Sequence, residues 1–188
     1  EIPTLCYMKK INEIGACRIC VCEVKGARGL AAACVMPVDE GMEVFTNTPA
    51  LQKYRRTTLE LILSTHRTDC LSCPRSTACE LQQLCREYGV DMDRFTKKQQ
   101  NEMVDASMPH LVRDNSKCIL CRRCVAVCQK NQYAGVIETC ERGYDTHIGC
   151  AFDMPLSETA CVACGQCLVS CPFGAIVDKS QIYQVVRS

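Results

Sequence analysis

No stretch of this sequence is apolar for long enough to cross a bilayer, so a membrane-spanning helix is not expected. No basic segment leads into an apolar one near the start, so a secretory leader is not expected either. Charge of one sign is nowhere concentrated: 22 Lys and Arg stand against 21 Asp and Glu, spread along the chain. Such a balance offers no basic track for a polyanion, which argues against nucleic acid as a partner. No Gly-rich turn of the nucleotide-cradling kind is present, so NAD(P) and flavin sites belong to other chains. The sequence opens at Glu1, and "IPTLC" reads as the end of an element already under way, so residues beyond both ends are expected.

Cysteine is abundant: 19 residues, about a tenth of the 188. That share signals a disulfide scaffold or a metal protein. Disulfides belong to small domains of oxidising compartments. Here the count is odd, and most cysteines fall in C-x-x-C groups whose members rarely bridge one another in structural disulfides. Reduced, metal-ligating thiols in a cytoplasmic setting are the reading that remains. Ligated thiolates carry charge, so four loaded sites would take the formal +1 to about −6.

Cys118, Cys121, Cys124 and Cys128 follow C-x2-C-x2-C-x3-C, and Cys161, Cys164, Cys167 and Cys171 repeat the pattern, with Pro172 next. This is the bacterial two-cluster ferredoxin run. Three cysteines three apart wrap one cubane in a tight loop whose N–H groups point at the sulfurs. The fourth begins the next helix and faces the other cubane. Cys118, Cys121 and Cys124 therefore pair with Cys171, and Cys161, Cys164 and Cys167 with Cys128. Zinc takes its ligands as two separated pairs and fits poorly. Gln129 stands where a Pro often follows the fourth cysteine. "GVIETCERGYDTHIG" predicts two short strands around a turn at Arg142 and Gly143. Cys140 and Cys150 are expected to be free or buried thiols.

The front half carries two looser groups. Cys6, Cys17, Cys20 and Cys34 give C-x10-C-x2-C-x13-C, with Cys17 and Cys20 in a Gly-led loop entering a strand. A loop-wrapped [2Fe–2S] site fits, and zinc stays open on spacing alone. Cys22 alternates with Cys20 and is expected on the other side of the strand. Thr48 and Pro49 begin a helix on which Leu51, Tyr54, Thr58, Ile62 and His66 recur as a buried stripe. Cys70, Cys73 and Cys79 follow, giving H-x3-C-x2-C-x5-C, so His66 reads as a ligand rather than a core residue. Iron and zinc are both open there. Thr77 and Glu80 form a capping box for a second helix ending near Gly89, with Cys85 on its apolar side as packing. His110 and His147 have no ligand neighbours in sequence. Arg94, Lys97 and Lys98 read as a solvated face, and Arg122 and Arg123 as either potential-setting or solvated.

Taken in order, these groups resemble the N-terminal electron-relay region of the iron-only ([FeFe]) hydrogenases, including the multisubunit NAD(P)-linked and electron-bifurcating kinds. "IPTLCYMKKINEIGACRICVCEV", "LELILSTHRTDCLSC", "KCILCRRCVAVC" and "CVACGQCLVSCPFGAI" carry the resemblance, which covers nearly the whole chain. It implies one [2Fe–2S] cluster on Cys6, Cys17, Cys20 and Cys34, a [4Fe–4S] cluster on His66, Cys70, Cys73 and Cys79, and the two ferredoxin cubanes, three [4Fe–4S] clusters in all. It implies an α+β fold: a partial β-grasp [2Fe–2S] ferredoxin-like domain over 1–47, a small helical domain over 48–90 holding the cluster with one histidine and three cysteine ligands, a linker over 91–116, and a bacterial-type two-cubane ferredoxin domain over 117–188. It also implies oxidoreductase function as part of a hydrogenase whose H-cluster lies beyond this segment, leaving no catalytic residue within it. Partners would be iron–sulfur or flavin/NAD(P) subunits, or soluble ferredoxin. Two features of that family are missing: the hairpin and helix ahead of the first cysteine, and the H-cluster domain. The large subunit of NAD-linked Mo/W formate dehydrogenases is similar in layout. A metal-binding scaffold or a redox sensor is the non-enzymatic alternative.

Overall fold

The computed structural model describes residues 1–97 and 103–180. Lys98 and residues 181–188 lie outside the described residues. The chain begins with an irregular segment that buries Leu5 and Cys6, then enters a three-stranded antiparallel sheet. Its central strand is β1 (Val21–Val24), flanked by β2 (Ala31–Ala32) and β3 (Val44–Phe45).

Helix α1 spans Pro49–Leu63, and the Thr48 hydroxyl accepts the Leu51 N–H at 3.3 Å. Pro49 sits at the first position, where its missing N–H costs nothing. The buried stripe is Leu51, Arg55, Leu59 and Leu63, one step round from the expected one. Tyr54, Thr58 and Ile62 lie at its half-buried margin, and the helix stops before His66. The rotation follows from Arg55, which is 1% exposed. Its guanidinium donates to the Ile19 carbonyl (3.1 Å), the Val21 carbonyl (2.8 Å) and the Tyr88 hydroxyl (3.2 Å). A cation with its donors so occupied can be buried, and it fastens α1 to the start of β1.

Helix α2 spans Glu80–Glu87. The expected capping box does not form: Thr77 lies in the exposed turn ahead, and Cys79 occupies the cap position. Burial raises the Cys79 thiol, while the N–H groups of Gln82 and Leu81 pull the other way, so sulfur faces the free N–H groups of the first turn. Gly89, at φ +56°, closes the helix; its N–H reaches the Arg86 carbonyl at 3.3 Å and the Val90 N–H reaches the Cys85 carbonyl at 3.0 Å. That pair of bonds satisfies two end carbonyls.

A second antiparallel sheet has the order β4 (Val104–Asp105), β5 (Leu111–Asp114), β8 (Ile176–Asp178). Residues 104–105 and 111–114, read from sequence as linker, thus pair in one sheet with the end of the described chain. Between β5 and β8 lie helix α3 (Arg123–Ala126), which widens into a π-turn over Val127–Asn131, the hairpin β6 (Glu138–Cys140) and β7 (His147–Gly149), and helix α4 (Gln166–Ser170).

The core falls into two clusters. The rear one centres on Leu111, Val125, Ile137, Ile148 and Leu156. The front one joins Leu5, Ile19, Leu59 and Leu81 to Cys121 and Phe173 from the rear half. Asn12, 1% exposed, crosses the same boundary: its amide donates to the Cys6 carbonyl (2.7 Å) and the Cys121 carbonyl (2.9 Å). Two such bonds stabilise the junction by about 2 kcal/mol. At the rim, Lys130 donates to the Ile11 carbonyl and the Arg67 N–H to the Ser116 carbonyl.

Candidate metal centres

The two ferredoxin runs share a backbone device. Leu120 and Ala163, the second residues after Cys118 and Cys161, have φ +56° and +55°; Arg122 and Gly165, after Cys121 and Cys164, have φ +60° and +72°. Left-handed residues between right-handed ones turn successive N–H groups into one concavity, a nest that favours negative charge. The Leu120 N–H points at Cys118 Sγ at 3.3 Å, and the Arg123 and Leu168 N–H groups serve Cys121 and Cys167.

Cys118, Cys121, Cys124 and Cys171 line one cavity with Ile119 and Phe173. Cys128, Cys161, Cys164 and Cys167 line another with Val136 and Ile137. Each cavity therefore takes three sulfurs from one run and the fourth from the other. Cys128 sits in the π-turn, which adds a residue to the helical turn at a functional position. In the metal-free thiols, burial pushes Cys118 up to about 12 and Cys121 and Cys167 up to about 11, with neighbouring cysteines adding to it. Sulfurs crowded and dried in this way are stable as anions only around a cation.

The two arginines of the first run differ. Arg122 is exposed and contributes its backbone bend. Arg123 is largely covered, 3.6 Å from Glu80, and its positive charge offsets part of the rise that burial imposes on Cys121.

In the front half, the Cys6 and Cys17 sulfurs share a hydrogen bond that pulls Cys17 down to about 5 and pushes Cys6 up. Cys34, pushed up to about 11 first by burial, lies in the field of Cys20 and Cys17 and receives the Gly15 N–H. Cys6, Cys17, Cys20 and Cys34 are thus gathered round one loop. Cys22 is buried, with its thiol toward the Ala31 carbonyl at 3.6 Å. Cys17 also acts on Cys121 of the first ferredoxin run.

Cys79, raised first by burial, also lies in the field of Cys73 and Cys70 from the turn Cys70–Ser72. His66, on the turn after α1, lines with Cys70 a cavity of about 370 Å³. Burial pulls His66 down to about 4, keeping it neutral, and the Lys117 backbone hydrogen-bonds to its ring. Its buried Nδ1 has no partner. An orphaned, neutral imidazole nitrogen beside a cysteine fits an iron or zinc ligand. Cys85, read from sequence as packing, lines the same cavity and is pushed up to about 11 by burial and then by Cys79 and Cys70.

Sequence reading missed Asn12 and Arg55; for Arg55 the signal was its place four residues from both Leu51 and Leu59. Arg94 is not merely solvated, since it pairs with Glu60, whose side chain is 2% exposed. His147 does have ligand-type neighbours, Cys140 and Asp153. Among the described residues no helix is long and apolar enough to cross a membrane.

Three family models match along the chain. Residues 1–49 match the 2Fe-2S iron-sulfur cluster binding domain, and 55–94 the NADH-ubiquinone oxidoreductase-G iron-sulfur binding region. Residues 111–132 and 154–177 match the 4Fe-4S binding domain. The fold is thus a small mixed α/β arrangement with 2Fe–2S and 4Fe–4S ferredoxin-like domains. NADP-reducing hydrogenase subunit HndD of Solidesulfovibrio fructosivorans is 40% identical over 193 residues, covering 100% of this chain and 33% of that protein. The G 2 subunit of the NADH-quinone oxidoreductase of Rhizobium meliloti (strain 1021) is 36% identical, covering 98% of this chain and 22% of that protein. The chain spans a fifth to a third of the length of such curated relatives. Among solved structures, a chain of the NAD+-reducing [NiFe]-hydrogenase in the H2-reduced state superposes with a TM-score of 0.88 at 30% identity, over 96% of this chain and 76% of that one.

Proposed function

This chain belongs to the family of iron–sulfur electron-transfer regions found in the G-type subunits of NADH-quinone oxidoreductases and in NAD(P)-linked hydrogenases, and from that premise we propose that it is the electron relay of an [FeFe] hydrogenase. One [2Fe–2S] and three [4Fe–4S] clusters supply one-electron chemistry. In this reading Cys6, Cys17, Cys20 and Cys34 hold the first, within a partial β-grasp unit over 1–47. His66, Cys70, Cys73 and Cys79 hold the second, within 48–90. After the connection over 91–116, the unit 117–188 holds two more, on Cys118, Cys121, Cys124 and Cys171 and on Cys128, Cys161, Cys164 and Cys167. The H-cluster and the NAD(P) or flavin sites belong to residues outside this segment and to partner subunits.

The observation that carries the reading is the exchange of the fourth sulfur, Cys171 lining a cavity with Cys118 and Cys128 lining one with Cys161. It serves electron transfer because it holds two centres side by side. The chain's own residues do the rest. Phe173 and the front core exclude water from the first ferredoxin site. The nest N–H groups stabilise negative charge on sulfur, and the Arg123 guanidinium adds positive charge at Cys121. His66 brings no negative charge where a thiolate would, which raises the potential of its site relative to four cysteines. Asn12 fixes the front and rear sites against each other through Cys6 and Cys121.

A second reading keeps the relay and changes its end: the likeness to the NAD+-reducing [NiFe]-hydrogenase chain favours a nickel-dependent partner. The test is anaerobic purification of the full-length protein with its partners, followed by metal and sulfide analysis and assays with hydrogen and formate. The relay predicts about fourteen iron per chain and a spectrum bleached by dithionite. Hydrogen oxidation without nickel supports the [FeFe] reading, nickel-dependent oxidation the second, and formate oxidation a formate dehydrogenase. Colourless, iron-free protein defeats the relay itself.

A further inference from the structure

We propose that Cys140, His147 and Asp153 form a mononuclear site for a divalent metal of the zinc type, apart from every sulfur assigned to iron. Their Sγ, imidazole and carboxylate atoms lie within 4.8 Å of one another. Cys140 ends β6 and His147 begins β7, and the two are register partners across the hairpin. Asp153 arrives from the next turn, carried by Phe152 and its own residue at φ +55° and +53°.

The hydrogen bonding of His147 calls for positive charge, supplied either by a second ring proton or by a metal ion. Nδ1 lies 2.8 Å from the Asp145 carbonyl, and Nε2 lies 2.8 Å from Asp153 Oδ1. Both partners are acceptors, and a neutral imidazole has one proton to give. With that proton on Nδ1, held by the carbonyl, the Nε2 lone pair faces an anionic oxygen. A metal ion seated beside both atoms, with the pair opened slightly, turns that repulsion into coordination, and the Nδ1–H to carbonyl bond is the usual orienting contact of a metal-bound histidine.

Gly149 shows how tightly the three donors crowd one backbone position. A Cβ there would lie 2.6 Å from Asp153 Oδ1, 2.7 Å from Cys140 Sγ and 3.3 Å from His147 Nε2. Three donor atoms of three chemical kinds converge over one Cα that carries only hydrogens. Thiolate, imidazole and carboxylate together are a zinc donor set. Water takes the fourth position on the side of Asp153, whose side chain is 38% exposed. Cys150 is not a member, since its sulfur accepts from Arg113 at 3.6 Å. The ion would tie the hairpin between the two ferredoxin runs to the turn that leads into the second.

The test is zinc and iron analysis of the full-length protein, purified anaerobically, incubated with Zn2+ and washed with a weak chelator. About one zinc per chain is expected, with an X-ray absorption signature of one sulfur at about 2.3 Å and nitrogen or oxygen at about 2.0–2.1 Å. Cys140→Ser and His147→Ala should lower zinc retention at least about tenfold with iron unchanged. Gly149→Ala, which keeps all three ligands but pushes Cys140 and Asp153 aside, should do the same, and Asp153→Ala changes a turn residue without touching the core. Wild-type protein that retains no zinc leaves a protonated histidine paired with Asp153 and overturns the proposal. So does zinc that survives both Gly149→Ala and Asp153→Ala.

Discussion

The two ferredoxin runs are spelled alike and bend alike, yet their surroundings differ. In the first, Cys118, Cys121 and Cys124 are all buried, covered by Phe173 and by the front core that Asn12 fastens down. In the second, Cys164 is exposed, Cys161 half-buried, and Val162 and Val169 are 67% and 74% exposed. Leu120 and Ala163 carry the same left-handed bend in both settings. The bend therefore belongs to the spacing, whereas burial belongs to what packs over the loop.

Four experiments bear on that contrast. The largest effect concerns the exchanged cysteines. Cys171→Ala and Cys128→Ala should each cost about four iron per chain. The Cys118→Ala/Cys171→Ala double variant should lose no more iron than either single one, and Cys118→Ala/Cys128→Ala about twice as much. Iron counts that group the cysteines by run instead would dissolve the comparison.

Next is the buried cation in the wall of the first cavity. Arg113, 3% exposed, walls the first cavity, lies 3.6 Å from Cys150 Sγ and pairs with Asp105 at 3.3 Å. Asp105→Asn leaves that buried charge without its anion and should cost about 3 kcal/mol in anaerobic urea unfolding at neutral pH. Burial alone would raise Asp105, but hydrogen bonds from Ser107 and Leu156 and the Arg113 charge outweigh it and hold the carboxyl below its ordinary value. The folded value is thus depressed. Its stabilisation is present above the unfolded value of about 3.9 and fades as pH falls below it. Wild-type stability should fall more steeply below that pH than that of Asp105→Asn.

Asn12→Ala sharpens the contrast from one side only. Two buried carbonyls lose their donor, a cost of about 2 kcal/mol. A chelator should then remove iron faster from the first-run site, with the second unchanged. Equal acceleration at both sites would contradict the roofing role of the front core.

The smallest effect concerns the matched bend. Gly165→Ala meets nothing within 4 Å, so its cost is backbone strain alone, about 1 kcal/mol. Arg122→Gly should stabilise the protein or leave it unchanged, because the same conformation there is held by a residue with a Cβ. A large loss from Arg122→Gly in thermal unfolding would mean that its side chain matters more than its bend.

Much was legible because it depends on neighbours in sequence. Thr48 and Pro49 announce α1 by local capping, Gly89 closes α2, and the alternation around Arg142 and Gly143 gives β6 and β7. The misses share one cause. Arg55 turns the buried stripe away from the expected Tyr54, Thr58 and Ile62 because the Ile19 and Val21 carbonyls, more than thirty residues away, receive its guanidinium. Thr77 falls short of the cap because the chain is still turning there, with the Ala78 N–H on the Arg75 carbonyl, and α2 begins only after Cys79. His147 looked ordinary because Asp153 reaches it only through two left-handed turn residues.

Sequence alone determined the iron–sulfur chemistry of the two ferredoxin runs, since the donor set and the tight loops that present it are fixed by residue type and by spacings of a few bonds. Tertiary structure decided which loops are dry, which arginine reaches a sulfur, where His66 stands beyond the end of its helix, and which cysteine, histidine and aspartate meet over Gly149. Those outcomes depend on distant segments packing together, and the free energy of such contacts is set by burial and by partner geometry that no local pattern of residues encodes.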